Sequence, residues 1–169
     1  LAIEMGILFF HGLESGPHGQ KFHMIASDYE ELESPDFQNL DLEQRLLVAE
    51  EVTRNRTGLT VIGSSFGGLV AARLYSHYPE RFQSLVLLAP ALHTEAADVI
   101  ARMPSAEQAT VIHGTQDSVV PFEASERFCQ KFYLPLVAVA DGHRLAAPYS
   151  KEAIMKAVHN LYKRPRLPL

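Results

Sequence analysis

Leu59-Thr60-Val61-Ile62-Gly63-Ser64-Ser65-Phe66-Gly67-Gly68-Leu69-Val70-Ala71-Ala72-Arg73-Leu74 is the stretch whose reading decides the fold of this 169-residue chain. Its opening residues form a mostly apolar, β-branched run suited to a strand, and its last six read as a buried helix. Between them Gly63, Ser65 and Gly67 match G-x-S-x-G, a strand-to-helix elbow that holds up a nucleophilic serine. Side chains two residues either side of the serine would collide in so sharp a turn, and the serine itself takes strained dihedrals. The helix that begins there aims backbone N–H groups and the positive end of its dipole at the place where an oxyanion would develop. Composition alone gives roughly 0.04 chance matches in a chain of this size, so the flanking strand and helix carry the reading.

Working outward, strand-like and helix-like runs alternate. Strands are expected at Ile3 to Phe10, Tyr29 to Glu33, Leu59 to Gly63, Ser84 to Ala89, Ala109 to His113 and Leu134 to Ala140. The second is the weakest, because it is acidic. Helices are expected at Gln20 to Ser27, around Leu42, Leu46 and Ala49, from the elbow to Tyr78, over roughly Thr94 to Arg102, from Pro121 to Lys131, and around Ile154 to Tyr162. Continuously apolar strands joined by helices predict an α/β fold: one domain over residues 1–169, doubly wound around a mostly parallel six-stranded sheet. Function in such sheets gathers at the carboxyl ends of the strands. There the first, third, fifth and sixth strands deliver His11-Gly12-Leu13, Ser65, Asp117 and His143 to one edge.

Composition narrows the classes. A net charge of −5 and a pI near 5.9 argue against binding nucleic acid or an anionic membrane. No apolar run approaches the roughly 20 residues that cross a bilayer. No basic segment precedes an apolar one at the start, which gives a cytoplasmic expectation. The single cysteine, Cys129, cannot form an internal disulfide and shares a helical face with Phe122 and Phe132, as small core filler would. His11, His18 and His23 have no recognised metal-ligand spacing, so neither metal nor cofactor is expected.

Phe10-His11-Gly12, Gly63-Ser64-Ser65-Phe66-Gly67-Gly68, Tyr78-Pro79-Glu80-Arg81-Phe82, His113-Gly114-Thr115-Gln116-Asp117 and Gly142-His143 together make the chain resemble an α/β-hydrolase over nearly its whole length. The order Ser, Asp, His is the one that superfamily uses. The resemblance implies Ser65 as nucleophile, Asp117 as triad acid and His143 as general base. It also implies an oxyanion hole made of the Phe66 N–H and one N–H from the Gly12-Leu13 turn. The first strand matches the third of a full-sized member, and Pro90 to Gln108 is too short for a separate cap domain. The chain is therefore similar to the small, capless bacterial serine esterases.

A serine hydroxyl is a weak nucleophile and needs a base beside it, a role suited to an imidazole of ordinary pKa about 6.5. An aspartate behind the ring would hold its tautomer and stabilise the imidazolium. Ser64 is the weaker nucleophile candidate because the glycines flank Ser65 symmetrically. Asp141 lies too close to His143 in sequence to reach back to the ring, and Asp98 falls in the variable stretch. His113 reads as structural, and His11 as shaping the oxyanion turn. Glu14 and Ser15 stand either as solvated loop residues or at the mouth of the site. The expected function is hydrolysis of small carboxylic esters or thioesters through an acyl-enzyme on Ser65. The alternatives are an acyltransferase or perhydrolase with the same triad, and a non-catalytic ligand-binding protein of the same fold.

Overall fold

The structure, a computed structural model, describes residues 5–163. The elements run β1 (Ile7–Phe10), α1 (Gln20–Ala26), α2 (Leu42–Thr53), β2 (Leu59–Ser64), α3 (Phe66–His77), β3 (Phe82–Leu88), β4 (Ala109–Gly114), α4 (Phe122–Phe132), β5 (Leu136–Val139) and α5 (Pro148–Leu161). Single 3-10 turns lie at Pro79–Arg81 and Glu95–Ala97.

The five strands pair in chain order, and every pairing is parallel. Alternate side chains enter opposite cores, as strand geometry requires. Leu8, Phe10, Leu59, Val61, Leu85, Leu87 and Val111 pack on the face covered by α2, α3 and α4. Ile7, Phe9, Ile62, Val86, Leu88 and Ile112 pack on the opposite face against Ile25 of α1 and Ile154, Ala157 and Val158 of α5. Burial on both faces explains why these strands read as unbroken apolar runs rather than alternating ones.

Two expectations need correction. Among the described residues the sheet has five strands, not six: the segment expected as a strand at Tyr29 to Glu33 meets the sheet only through a single parallel bridge, Leu8 to Glu33. Tyr29 and Leu32 both enter the core, a spacing of three that suits turns. Their N–H groups bond back to Ile25 and Tyr29. Pro35, which has no N–H to give, follows at once. The stretch expected as a helix from Thr94 to Arg102 forms only the turn at Glu95–Ala97, because Ile100 dives into the core and the Ala101 N–H goes to Ser76 Oγ at 2.9 Å. This segment lies against α3, where Arg73 donates to the Ala96 carbonyl, and forms no separate cap. Of the expected first strand, Ile3 and Glu4 lie outside the described residues.

α2 starts at a capping box in which Asp41 and Gln44 exchange side-chain and backbone hydrogen bonds, both 2.9 Å. Its most deeply buried line is Arg45, Ala49 and Thr53, while Leu47 stays exposed. No described helix is long and apolar enough to cross a membrane.

Candidate active site

The elbow is built by backbone packing. A Cβ on Gly63 would sit 2.6 Å from the Gly67 carbonyl oxygen, and one on Gly67 would overlap the Phe10 carbonyl and come within 2.6 Å of that of His11. Only glycine lets β2, α3 and the end of β1 approach so closely. Ser65 takes φ 55° and ψ −117°, a conformation that costs a non-glycine residue of order 1–3 kcal/mol. It is held there by its N–H on the Leu88 carbonyl and its own carbonyl on the N–H groups of Gly68 and Ala91, each 2.9 Å. Phe66 and Gly67 are the first two residues of α3, and N–H groups at those positions have no acceptor within a helix.

The loops after β4 and β5 bring the other two residues to Ser65. Ser65 Oγ lies 2.9 Å from His143 Nε2, and His143 Nδ1 lies 2.7 Å from Asp117 Oδ2. With a proton on Nδ1 donated to the carboxylate, Nε2 is the acceptor for the serine hydroxyl. The Asp117 carboxylate is fully buried, while the His143 side chain keeps 21% exposure, so the line runs from core to solvent. Burial alone would raise the Asp117 pKa. The His143 hydrogen bond and the N–H groups of Val119 and Val120, each 2.8 Å from Oδ1, outweigh it and hold the carboxyl below its ordinary value.

Gly12 completes the cluster. A Cβ there would touch Ser65 Cβ at 3.4 Å, so the loop after β1 lies directly against the serine. Leu13 follows, 57% exposed at the rim. His11 is buried, with Nδ1 donating to the Gly12 carbonyl at 2.8 Å and Nε2 accepting from the Phe37 N–H at 2.8 Å. Both nitrogens are committed to backbone, and burial lowers the His11 pKa. The ring therefore shapes the turn. Ser15 Oγ also reaches the Gly12 carbonyl, at 3.4 Å, and Glu14 is exposed.

The rival residues are engaged elsewhere. Asp141 accepts from the Gly142 and Ala147 N–H groups and from Ser150 Oγ, so it ties the loop to the start of α5. Cys129 is buried, which pushes its thiol up to about 11 and leaves it unreactive. Three residues have a part in the site that their sequence context hides. His113 Nε2 donates to Asp117 Oδ2 at 3.0 Å and to the Val120 carbonyl, while its Nδ1 accepts from Ser125 Oγ at 2.7 Å. The four-residue spacing of His113 and Asp117 was the available clue. Lys21 Nζ donates to the Arg144 carbonyl at 2.8 Å, bracing the loop that carries His143. Arg45, from α2, reaches the carbonyls of His11, Gly12 and Leu13. No local pattern marks either long-range contact.

A family model of the alpha/beta hydrolase fold matches residues 7–108, more than half of the chain, and the chain belongs to that family. The match contains the elbow and ends before Asp117 and His143. Among solved structures, a protein of the alpha/beta superfamily of hydrolases from Xanthomonas campestris is 25% identical. The alignment covers 94% of this chain and 100% of that one, with a TM-score of 0.74. Mouse alpha/beta hydrolase domain-containing protein 10 is 14% identical over 95% of this chain and 91% of its own, with a TM-score of 0.75. The ydeN gene product of Bacillus subtilis is 13% identical over 94% and 99%, with a TM-score of 0.76. The last two share the fold. No curated protein sequence matches the chain. Family and fold together support hydrolase activity in general.

Proposed function

We propose that the chain is a serine hydrolase that cleaves small carboxylic esters or thioesters through an acyl-enzyme on Ser65. One observation carries the reading: Ser65 Oγ, His143 and Asp117 form a continuous hydrogen-bonded line, 2.9 and 2.7 Å, ending on a buried carboxylate held ionised. In this reading Ser65 Oγ attacks the carbonyl carbon as its proton passes to His143 Nε2. Asp117 stabilises the imidazolium that results. The carbonyl oxygen becomes an anion facing the N–H of Phe66 and an N–H of the Gly12-Leu13 turn, where donors act on charge that exists only near the transition state. His143 then protonates the departing alcohol or thiol. A water molecule repeats the attack on the acyl carbon, giving its proton to His143, which passes it to Ser65 Oγ as the acyl–oxygen bond breaks, releasing the acid and free Ser65. The residue whose side chain must ionise is buried and the one that must meet substrate is accessible, which is the arrangement this chemistry needs. The segment between β3 and β4 packs on α3 through Arg73 and Ser76, which fits a reading of small esters as substrates.

The test is nitrophenol release from p-nitrophenyl acetate, butyrate and octanoate by the wild type and by Ser65→Ala. The variant should lose at least about 10³-fold in kcat, with wild-type thermal stability. A fluorophosphonate should label the wild type and spare the variant. Equal rates in both proteins would refute the assignment.

A further inference from the structure

We propose that Arg45 is a positioning residue for the oxyanion hole: its buried guanidinium gathers the carbonyl groups of residues 11–13, so that the N–H groups of that loop are presented to Ser65. This rests on the hydrolase reading of Ser65. The Arg45 side chain is completely buried, yet no carboxylate of the described residues lies within ion-pair distance of it. Its partners are carbonyls. Nε donates to Leu40 at 2.9 Å, Nη1 to His11 and Gly12 at 3.4 Å each, and Nη2 to Leu13 at 3.5 Å. The planar guanidinium is also 5.1 Å from the centre of the Phe66 ring and 5.7 Å from that of Phe37. One side chain therefore contacts both residues and loops from which the two oxyanion donors would come.

Peptide geometry turns this contact into orientation. In a trans peptide the C=O and the next N–H point in opposite directions. Drawing the His11 and Gly12 carbonyls onto Arg45 therefore turns the N–H groups of Gly12 and Leu13 away from it, in a loop whose Gly12 abuts Ser65. The Gly12 carbonyl is the most heavily held, by Arg45, His11 Nδ1 and Ser15 Oγ. A buried cation with no ion-paired carboxylate, its nearest negative charge the more distant Asp36, is an expensive way to fill space; a methionine would pack there at less cost. The same positive charge, shielded from water, also favours an anion forming at the hole. Lysine lacks the fork that spans several carbonyls at once, so charge and geometry are separable.

Arg45→Met and Arg45→Lys are the variants, with rates per active site obtained by fluorophosphonate titration so that unfolded protein does not count. For p-nitrophenyl acetate, Arg45→Met should lower kcat by about 10- to 100-fold with KM changed less than about threefold. Affinity for a trifluoromethyl ketone, which forms an oxyanion on Ser65, should fall in the same proportion. Arg45→Lys should recover part of both losses. Per-site kcat and ketone affinity within twofold of wild type, in whichever variant folds, would overturn the inference and leave Arg45 as a packing residue. If Arg45→Met does not fold, Arg45→Lys decides alone: wild-type values there overturn the role of the fork. A wild type with neither ester turnover nor ketone binding would overturn the hydrolase reading itself, and the inference with it.

Discussion

The elbow around Ser65 and the loop after β1 lie against each other, so close that a Cβ on Gly12 would come within 3.4 Å of Ser65 Cβ, yet they are held in unlike ways. The elbow is shaped by its own sequence. Gly63 and Gly67 let three backbone segments meet, and Ser65 is clamped by backbone hydrogen bonds. The loop at His11, Gly12 and Leu13 is shaped by side chains: Arg45 from α2, Ser15, and its own His11 ring anchored on Phe37. The first arrangement is rigid because any added atom meets main chain. The second can be adjusted, because its supports are side chains.

Substituting Gly67 sharpens that contrast most. Gly67→Ala would drive a methyl group into the Phe10 carbonyl, and main chain must move to relieve it. A loss of about 3 kcal/mol or more in unfolding free energy is expected, measurable by denaturant titration. A variant as stable as wild type would show that the elbow is more pliant than its packing implies.

The loop's dependence on His11 comes next. Burial keeps His11 neutral in the fold, with its pKa below the ordinary 6.5, opposed by the Gly12 carbonyl and Asp36 and aided by Arg45. Above pH 6.5 neither folded nor unfolded chain binds the proton, and the stabilisation is complete. As pH falls below 6.5 the unfolded chain takes up the proton first, and stability drains away towards the lower folded pKa. Wild type should therefore lose stability relative to His11→Gln as pH falls below 6.5, by no more than about 1.4 kcal/mol per pH unit until the lower folded pKa is reached. Parallel stability curves for the two proteins would remove His11 as a support of the loop.

The smallest effect is expected at Gly12. A methyl group there meets Ser65 Cβ at 3.4 Å, Ser64 O at 3.6 Å and Ser15 Oγ at 3.7 Å, which is ordinary contact. Gly12→Ala should fold with less than about 1 kcal/mol of lost stability, and any deficit should appear in ester turnover instead. A large fall in melting temperature would erase the distinction between the two regions.

The same distinction separates what was legible in the residues from what was not. Glycine spacing marked the elbow, and apolar runs marked β1 to β4, because these depend on local sterics and burial. The spacing of Tyr29 and Leu32 was the missed sign that their segment turns instead of extending, and an acidic edge has little apolar pattern to judge by. Thr94 to Arg102 failed differently: its helix potential was lost to Ile100 and Ser76, partners that only packing supplies.

By itself the sequence determined the alternation of strands and helices, the strained serine turn, and the delivery of Ser65, Asp117 and His143 to one edge of the sheet. Each follows from a short run of residues whose sterics and hydrophobic period act over a few positions. Only the tertiary structure decided that Tyr29 to Glu33 stays out of the sheet as a strand, that those three side chains stand at hydrogen-bond distance, and that Arg45 is buried against the loop at residues 11–13. In the sequence Arg45 is one more charge on an amphipathic helix. Three of the four carbonyls it meets lie more than thirty residues away, which no local pattern encodes.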